Sequence, residues 1–516
     1  MHVVDRPIVH KPSMMKRNKI FSFFAGALSF ILFTTSGCKK WDNHIATNDP
    51  KSNETLVQEI TKQANLSVFL DYIKRTGLDA LLSSSKTYTV WAPDNTAMAA
   101  IPATVVNNND ELKKYLSNFI AEQLFFTRDA VDSIRVPMLN GKRVYFYNTK
   151  LDDATLTSKD VAVKNGVLHV INAVVAPLPT LWEYLESTKT TYQQNEFISS
   201  LSFLRQDPTL AEVQGIDPLT GETIYVPGTG MVVANRFKEK IADLTNEDSV
   251  FTYFILANPA YGSEKARVAP YFKSDEAAIT DTNAAWIVVK DLIVRGHVNP
   301  ASLPAEVIAT SGAKLPLSQA AVVASHKMSN GMVYILNACT PALTEKIKPA
   351  VVEGEYPYSF SSTNGRRHYR ERYNPLTGLN FRDLFVQTTA SANYISYLSN
   401  QVYTMKYKVY WVALNDYTAK TDNDNNSYGS LTPFSQKLVM DTITSTTFAY
   451  KSVLTNDYTE VYIGDYVNDK YDYKIPYLSG SRSQVTLATT KMFLVANTAA
   501  PFHLSLDYLK FVPVFE

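Results

Sequence analysis

The spacing of apolar residues changes along the chain, and each type of spacing predicts a different element. Within Leu66–Ile73 apolar side chains recur three and four positions apart, at Leu66, Phe69, Leu70 and Ile73. This spacing predicts an amphipathic helix, and Gly77 marks its end. A short apolar strand, Tyr88–Ala92, follows. We therefore expect helices that pack on a small sheet in this part of the chain.

A second buried strand is predicted at Val167–Val175. Asn165 and Gly166, which precede it, both tolerate positive φ angles and so favour a tight turn. The run that follows is β-branched and apolar, which is typical of a strand covered on both faces. The pattern predicts a hairpin that leads into a core strand.

From about Lys346 the helical spacing fades and alternation takes its place. Every second position is apolar at Tyr403, Met405, Tyr407, Val409 and Trp411. Lysines lie between them, which predicts a strand with one apolar and one polar face. Further strands are expected at Thr459–Tyr466 and Met492–Ala496. Short strands separated by turn residues favour a β-sandwich for residues 346–516.

Length and composition describe an ordinary globular protein. A chain of 516 residues exceeds the roughly 250 to 300 residues at which a single hydrophobic core divides, so two to four domains are expected. Apolar residues make up 45% and charged residues 19%, as in most folded proteins. The formal net charge of +1 argues against a nucleic-acid partner, because such proteins usually carry a concentrated basic excess.

The first 38 residues carry a targeting pattern. The positive segment 16–19 precedes an apolar run, Ile20–Thr35, and Thr35–Cys38 is a box of small residues that ends in cysteine. This pattern resembles a bacterial lipoprotein signal, which implies that Cys38 is lipidated and begins the mature chain. Met15 is the more natural start for such a signal. A transmembrane anchor or an uncleaved helix is the alternative, but the run is short for a span of about 20 residues.

The segment after the signal predicts a tether rather than a folded element. Residues 39–53 are polar, lack periodicity and contain an Asp-Pro pair, which indicates a flexible link. Only Cys339 remains once Cys38 is lipidated, so no disulfide framework is expected. Cys339 ends the apolar run Val333–Cys339, where a buried structural thiol is favoured over a nucleophile.

Three segments resemble the motifs of one family. Thr89–Met98 is similar to the first signature of the fasciclin domain, Met138–Gly141 to its middle hairpin, and Asn165–Asn172 to its closing hairpin. Residues 54–178 are therefore identified as a fasciclin-like domain. The resemblance implies a small β-sandwich or wedge with packed helices, and a non-enzymatic role in extracellular adhesion.

Two positions bear on the function that this resemblance implies. Asn118–Phe126 lies where many fasciclin domains carry a Tyr-His pair associated with adhesion, and Gln123 occupies the histidine position. The receptor contacts of animal relatives are therefore not expected in this chain. His169, in the closing hairpin, is expected to be a hydrogen-bonded structural residue rather than a ligand.

Residues 179–345 resemble a second, divergent fasciclin-like domain. Leu181–Leu185 and Phe197–Leu204 resemble the opening helices of the family. Phe254–Tyr261 is similar to the first signature and Ser329–Asn337 to the closing hairpin.

The distances between equivalent motifs indicate a tandem duplication. Asn95 and Asn258 lie 163 positions apart, and Gly166 and Gly331 lie 165 positions apart. The second repeat also contains the turn-rich segment Gln214–Gly230, which is expected to be an exposed loop.

The last segment, Leu504–Val514, is similar to the closing strand of jelly-roll carbohydrate-binding modules. The expected fold class is therefore α+β: two tandem fasciclin-like domains followed by an all-β, jelly-roll-like sandwich. The expected domains are a signal at 1–38, a tether at 39–53, fasciclin-like domains at 54–178 and 179–345, and the sandwich at 346–516.

The motifs of common catalytic sites are absent from the sequence. It contains no GxSxG, HExxH, GxxxxGK[ST] or CxxC pattern, so we expect no catalytic residue, cofactor or metal. Asp422–Asn426 begins like an EF-hand loop, but Ser427 and Pro433 stand where glycine and glutamate are required. A solvated hairpin tip is favoured over a calcium site there.

The most concentrated basic and aromatic patch is Gly365–Tyr373. Its candidate ligand-binding residues are Arg366, Arg367, Tyr369, Arg370 and Tyr373. Arginine offers a bidentate fork to phosphate or an acidic glycan, and tyrosine offers a stacking face. The alternative is a surface loop or an interdomain contact in which these arginines pair with Asp or Glu, and it is the favoured one of the two.

These features predict a non-enzymatic lipoprotein of the bacterial outer membrane that acts in adhesion or ligand capture. Glycan capture is the more specific version, because the terminal domain is rich in aromatic residues. Proteins that look like this accompany outer-membrane glycan-uptake systems. The expected partners are the membrane, a polysaccharide or oligosaccharide, and an outer-membrane transporter with its partner lipoprotein.

The same features also fit other roles and another location. One alternative is a structural subunit that packs against a TonB-dependent transporter or a partner lipoprotein and binds no glycan. Another is a polysaccharide-active enzyme in the C-terminal domain. The cell surface is the expected location, and the periplasmic face is the alternative.

Overall fold

The computed structural model describes residues 53–361, 366–388, 391, 393–416, 432–478 and 482–515. The chain forms two compact units, which divide between Pro177 and Leu178. Cys38, the predicted signal and the acidic segment Asp422–Asn426 lie outside the described residues. Within the described residues, every helix is too short or too polar to cross a bilayer.

The first unit packs short helices on a seven-stranded sheet with the order β2-β1-β7-β6-β5-β4-β3. The helices are α1 (Leu56–Lys62), α2 (Ser67–Arg75), α3 (Leu78–Leu82), α4 (Asn95–Met98), α5 (Ala103–Val106) and α6 (Asn109–Leu116). The strands are β1 (Tyr88–Pro93), β2 (Ile120–Ala121), β3 (Ile134–Pro137), β4 (Arg143–Phe146), β5 (Lys150–Leu151), β6 (Ala154–Val163) and β7 (Gly166–Ile171).

The second and third strands of this order, β1 and β7, form a parallel pair in which every residue is buried. Parallel strands covered on both faces appear in sequence as unbroken apolar runs, which is why neither strand shows alternation. The predicted helix at Leu66–Ile73 is confirmed as α2, whose Phe69 and Ile73 are buried. The predicted strand at Val167–Val175 is also present, but it ends at Ile171.

The prediction that Asn165 and Gly166 form a tight turn with positive φ angles is wrong. Neither residue has a positive φ angle, and Gly166 is already the first residue of β7. Glycine is needed there because a Cβ would lie 2.1 Å from the backbone oxygen of Tyr88. The closing hairpin therefore requires glycine for the close approach of a neighbouring strand.

The second unit begins with a repeat of the same plan. Its helices are α7 (Leu181–Ser187), α8 (Gln193–Ser200), α9 (Arg236–Lys240), α10 (Asn258–Val268), α11 (Ala277–Val289) and α12 (Leu343–Lys346). Its strands are β8 (Ser202–Gln206), β9 (Val213–Ile216), β10 (Thr223–Tyr225), β11 (Met231–Asn235), β12 (Phe251–Leu256), β13 (Ile293–Arg295), β14 (Glu306–Ile308), β15 (Lys314–Pro316), β16 (Val322–Met328) and β17 (Gly331–Leu336).

The central sheet of this repeat has the order β13-β12-β17-β16. Its core pair, β12 and β17, is parallel and buried throughout, as in the first unit. Phe251 pairs with Gly331 in the register in which Tyr88 pairs with Gly166. The shared register supports the duplication that the motif distances indicate.

The two repeats differ by an insertion. Leu56 and Leu181 lie 125 positions apart, whereas Asn95 and Asn258 lie 163 apart, so 38 residues were added between these points. Most of them form the arm, which we define as Ser202–Asn235. In the arm β8 pairs with β11, and β9 pairs with β10.

Two sequence predictions for this insertion need correction. The segment Gln214–Gly230 is exposed as expected, but it contains strands rather than an irregular loop, because residues on both sides of the Asp217–Gly221 turn pair as β9 and β10. The predicted helix at Phe197–Leu204 ends at Ser200, and β8 begins at Ser202.

The rest of the second unit is rich in strands, as predicted. The strands are β18 (Ala350–Glu353), β19 (Ser359–Phe360), β20 (Arg366–Asn374), β21 (Leu379–Gln387), β22 (Tyr394–Ser399), β23 (Met405–Val412), β24 (Phe434–Met440), β25 (Lys451–Val453), β26 (Val461–Asn468), β27 (Thr490–Ala496), β28 (Leu504–Leu506) and β29 (Tyr508–Pro513), with one helix, α13 (Arg482–Ala488). The sheet orders are β18-β29-β23-β26, β19-β22-β27-β24-β25 and β20-β21-β28.

The predicted closing strand is divided in two. Leu504–Leu506 pairs with β21, whereas Tyr508–Pro513 pairs with β18 and β23 in a different sheet. Asp507 lies at the division, where its backbone N–H donates to the Val412 carbonyl at 2.8 Å. The chain changes sheets at this residue, so one continuous strand was the wrong prediction.

The second repeat and the sandwich are joined within the second unit. Tyr471 and Tyr473, which follow β26, are buried in the hydrophobic cluster of the second repeat. Asn283 holds this segment, because its Nδ2 donates to the Tyr473 carbonyl at 2.9 Å and its Oδ1 accepts from the Ile475 N–H at 3.0 Å. We call residues 469–478 the strap. In sequence the strap lies within the sandwich, but its tyrosines pack in the core of the second repeat.

Candidate functional site

The candidate ligand-binding residues lie on a long hairpin formed by β20 and β21. Asn374 begins the turn, and its Oδ1 accepts from the backbone N–H groups of Leu376 and Thr377 at 2.9 and 3.3 Å. Gly378 completes the turn with a φ angle of +72°. β20 is the outer strand of its sheet, so one of its edges is not covered by another strand of that sheet.

Alternation along β20 separates the predicted residues into two sets. One side of the strand carries four exposed residues at every second position: Arg367, Tyr369, Glu371 and Tyr373. Arg370 lies on the opposite side, together with the half-buried Arg372. A strand directs successive side chains to opposite faces, so the five candidates cannot form one continuous surface.

The inward set forms an ion-pair cluster. Arg370 Nε lies 2.8 Å from Asp383 Oδ1, and its second contact with Asp383 makes the pair bidentate. Both Arg370 and Arg372 also pair with Asp416, which accepts from the Tyr458 hydroxyl at 3.1 Å. Arg370 therefore pairs with carboxylates of its own chain. This agrees with the alternative interpretation of Gly365–Tyr373, in which the arginines pair with Asp or Glu.

Burial acts against the ionised form of Asp383 in this cluster. It raises the pKa of Asp383, and the adjacent Arg370 and Arg372 oppose that rise. A buried pair of this kind costs desolvation free energy, and removal of one partner leaves an unpaired charge. The cluster fixes the position of β20 on the sandwich rather than offering groups to a ligand.

The outward set remains accessible. Tyr369 is 48% exposed and Tyr373 is 59% exposed. They are four residues apart on one strand, which places their Cα atoms about 13 Å apart at the usual rise per residue. Two tyrosine rings at this spacing suit an extended ligand better than a single small ring.

Two polar residues on β21 complete this face. Arg382 pairs with Glu371, and Asn380 pairs with Tyr373; both β21 residues are exposed. Sequence reasoning missed them because they lie outside the basic run and become neighbours of it only through strand pairing. We call the exposed residues Tyr369, Glu371, Tyr373, Asn380 and Arg382 the hairpin face.

The two remaining candidates lie at the start of β20. Arg366 and Arg367 are both exposed, and the Arg367 guanidinium lies 3.8 Å from the centre of the Phe360 ring. That contact is a cation–π interaction. A ligand-binding role for these two arginines stays a prediction.

A buried carboxyl group lies beside this part of the sandwich. Asp507 is 6% exposed, and burial, together with the negative charges of Asp383, Glu353 and Glu355, raises its pKa to about 7. Raised values of this kind occur where carboxylates share a poorly hydrated site.

His169 is a structural residue, as predicted. It is fully buried, its Nε2 donates to the Phe125 carbonyl at 3.0 Å, and its Nδ1 accepts from the Asp160 N–H at 3.2 Å. Burial lowers the pKa of His169, which favours the neutral ring. In the second repeat the Tyr334 hydroxyl takes the same place and donates to the Val298 carbonyl at 2.8 Å.

Cys339 and Gln123 are the other residues that the sequence singled out. Cys339 is buried, and burial raises the pKa of its thiol to about 11, so the reactive thiolate is disfavoured. The side chain of Gln123 is exposed, and its backbone carbonyl accepts from Thr89 Oγ1 at 2.7 Å. Among the described residues, no group of three His, Cys, Asp or Glu side chains is arranged to hold a metal ion.

Comparison with known proteins identifies a family for the first unit. The fasciclin domain profile matches residues 64–177. Protein sll1483 of Synechocystis sp. is 33% identical over 133 residues, which cover 24% of this chain and 73% of that protein. The chain belongs to the fasciclin domain family. The fasciclin domain is a non-enzymatic domain of the adhesion type.

Two solved structures are also similar to parts of this fasciclin-domain chain. A FAS1 domain pair from the insect cell adhesion molecule fasciclin I covers 55% of this chain and 99% of its own, at 16% identity and a TM-score of 0.21. A family 6 carbohydrate-binding module covers 32% of this chain and 94% of its own, at 12% identity and a TM-score of 0.19.

Proposed function

We propose that this protein is a non-enzymatic, lipid-anchored protein of the bacterial cell surface that captures glycan through its C-terminal sandwich. In this proposal the fasciclin domains form the scaffold and the hairpin face binds the ligand. The protein would serve as an accessory of an outer-membrane uptake system. The observation that carries the proposal is the pair of exposed tyrosines, Tyr369 and Tyr373, on one side of the outer strand β20.

The hairpin face has the chemistry that sugar binding needs. Tyrosine rings give large, rigid apolar area with a polar hydroxyl at the tip, which suits the C–H faces of sugar rings. Glu371, Asn380 and Arg382 add hydrogen-bond donors and acceptors beside the rings. Apolar surface with a few placed polar groups is the usual composition of a small-molecule site.

Glycan retention by the full chain tests this proposal. We expect the purified protein to bind at least one class of polysaccharide on a glycan array or in an affinity gel. The double variant Tyr369→Ala/Tyr373→Ala should lose that binding. Tyr462→Ala is the matched control, because Tyr462 is similarly exposed at 45% but lies in another sheet. No retention of the unaltered protein by any glycan would favour a packing subunit instead.

Lipid anchoring has its own test. Cys38→Ala should release the protein from the membrane fraction, because it removes the residue to which the lipid would be attached. Unchanged membrane retention of this variant would contradict the lipoprotein proposal while leaving glycan capture open. Proteolysis of intact cells then distinguishes the outer surface from the periplasmic face.

A further inference from the structure

The arm, Ser202–Asn235, is the largest difference between the two fasciclin repeats. It enters the second repeat directly after α8 and leaves directly before α9. In the first repeat the equivalent helices, α2 and α3, are joined by Thr76 and Gly77 alone. The fold does not require the arm, because the first repeat closes its core without one.

The base of the arm is firmly attached. Asn235 is 1% exposed; its Nδ2 donates to the Ile198 carbonyl at 2.8 Å, and its Oδ1 accepts from the Phe237 N–H at 2.9 Å. Arg205 also pairs with Glu239 at 2.6 Å. These contacts hold the arm at a defined position on the second repeat.

The arm concentrates exposed apolar side chains. Of the 25 large apolar side chains exposed among the described residues, eight lie in its 34 residues: Leu204, Leu210, Val213, Ile216, Leu219, Ile224, Met231 and Val233. Leu204 and Val233 are direct cross-strand partners and are 67% and 69% exposed, and Leu219 at the tip is 94% exposed. Clustered exposed apolar residues mark interaction surfaces, whereas scattered ones do not.

The strands of the arm are also open at their edges. Among the described residues β11 pairs with β8 alone, in a two-stranded sheet. β11 contains neither a charge nor a proline, although these are the features that commonly protect an edge strand from pairing with another chain. A two-stranded ribbon is marginally stable by itself, so added pairing would stabilise the arm.

The charge of the arm limits what can bind it. It carries Asp207, Glu212, Asp217 and Glu222 but only one cation, Arg205, which gives a net charge of −3. Two arms would repel each other, and so would an arm and an anionic membrane surface. A cationic rim around an apolar centre would complement it.

We propose that the arm is a docking surface for a partner protein that presents an extended apolar segment flanked by Lys or Arg. The segment would pair with the open edge of β11 and cover the Leu204–Val233 face, and its cations would lie opposite the four carboxylates. Strand addition of this kind gives affinity through backbone hydrogen bonds and specificity through side chains. The proposal is independent of glycan capture.

Crosslinking of the full chain in the cells that make it is the first test. A photoreactive amino acid replaces Val233 or Leu219, and the same amino acid at Val131 is the control, because Val131 is 77% exposed in the first unit. We expect both arm positions to crosslink one and the same protein, identified by mass spectrometry, and the Val131 position not to crosslink it. Crosslinks to lipid, to a second copy of this chain or to nothing would overturn the proposal.

Binding of the purified pair is the second test. Leu204→Ser/Val233→Ser should weaken the affinity at least tenfold, and Val131→Ser should leave it unchanged. Affinity should fall as NaCl rises, and Asp207→Asn/Glu212→Gln/Asp217→Asn/Glu222→Gln should abolish most of that dependence. These amides keep the side-chain oxygens that accept from Thr209 and Leu219, so the turns should persist. Equal affinity of both multiple variants and the unaltered chain would overturn the proposal.

Discussion

Asn165 and Asn330 make equivalent hydrogen bonds in the two repeats, 165 positions apart. Asn165 Oδ1 accepts from the Leu56 N–H at 2.9 Å, and Asn330 Oδ1 accepts from the Leu181 N–H at 2.8 Å. In each repeat the amide nitrogen also donates to two backbone carbonyls of the segment that leads into the parallel core pair. One buried side chain thus ties the first helix of the repeat to the closing hairpin.

Replacement of either asparagine by alanine should destabilise its own repeat. Asn330→Ala removes three hydrogen bonds and leaves buried backbone groups without partners, so we expect a loss of about 3 kcal/mol in the free energy of unfolding. Urea unfolding of the full chain measures this. Asn107→Ala is the control, because Asn107 is exposed and should change stability by less than about 0.5 kcal/mol. Equal midpoints for the two variants would contradict the role given to Asn330.

Glycine at the start of β17 should be equally hard to replace. A Cβ on Gly331 would lie 1.8 Å from the Phe251 backbone oxygen, and the φ angle of Gly331 is +155°. Gly331→Ala should therefore separate β12 from β17 and cost more than about 3 kcal/mol. Gly215→Ala is the matched control, because a Cβ at Gly215 would meet nothing within 4 Å. Thermal unfolding of both variants checks the difference.

The duplicated core could be predicted because its evidence is local in sequence. The unbroken apolar runs at Tyr88–Ala92 and Val167–Val175 indicate burial on both faces. Similar motifs recur 163 and 165 positions later, which reveals the repeat. The turn chemistry of Asn165 was misread for a physical reason. Asparagine favours turns by its own conformation, but here its amide binds residues about 80 and 109 positions away, which a sequence pattern does not reveal.

The candidate site was predicted less well for a similar reason. The basic run from Arg366 to Tyr373 is visible in sequence, but its division into inward and outward faces depends on carboxylates of other segments. Asp383 pairs with Arg370 because β20 and β21 form a hairpin, and Asp416, which follows β23, meets Arg370 only in the folded sandwich. The partnership of Glu371 with Arg382 likewise follows from strand register. The alternation of side chains along a strand predicts that Tyr369 and Arg370 lie on opposite faces. This part of the division could have been predicted from the sequence.

The strap should couple the second repeat to the sandwich. Asn283→Ala removes both hydrogen bonds to the Tyr473 and Ile475 backbone, so we expect a loss of about 2 to 3 kcal/mol and an earlier, separate unfolding step. Calorimetry of the full chain would show the additional transition. Gln401→Ala, at an exposed position of the sandwich, should leave the trace unchanged. One undivided transition with the original midpoint would show that the strap does not couple the two.

The two tyrosines of the hairpin face should contribute comparably to glycan binding. Tyr369→Ala and Tyr373→Ala should each weaken binding by about 1 to 2 kcal/mol, roughly tenfold, since each removes one aromatic surface. Tyr→Phe at either position should retain more affinity than Tyr→Ala, because it keeps the ring. Isothermal titration with the glycan found on the array measures both. A loss confined to the Tyr462→Ala control would place the site elsewhere on the sandwich.

Asp507 should make the sandwich less stable as pH rises. Its folded pKa of about 7 exceeds the usual value of about 3.9, so between these values the folded state holds a proton that the unfolded state has released. This contribution to the free energy of unfolding is complete below about pH 4 and is lost as pH rises to about 7, and it amounts to about 4 kcal/mol in all.

Asp507→Asn mimics the protonated carboxyl, so the variant should match the unaltered chain near pH 4 and exceed its stability near pH 8. Urea midpoints across this range measure the effect, with Asp469→Asn as the control, because Asp469 is exposed. Parallel pH profiles for the unaltered chain and Asp507→Asn would show that Asp507 is ionised in the folded protein throughout.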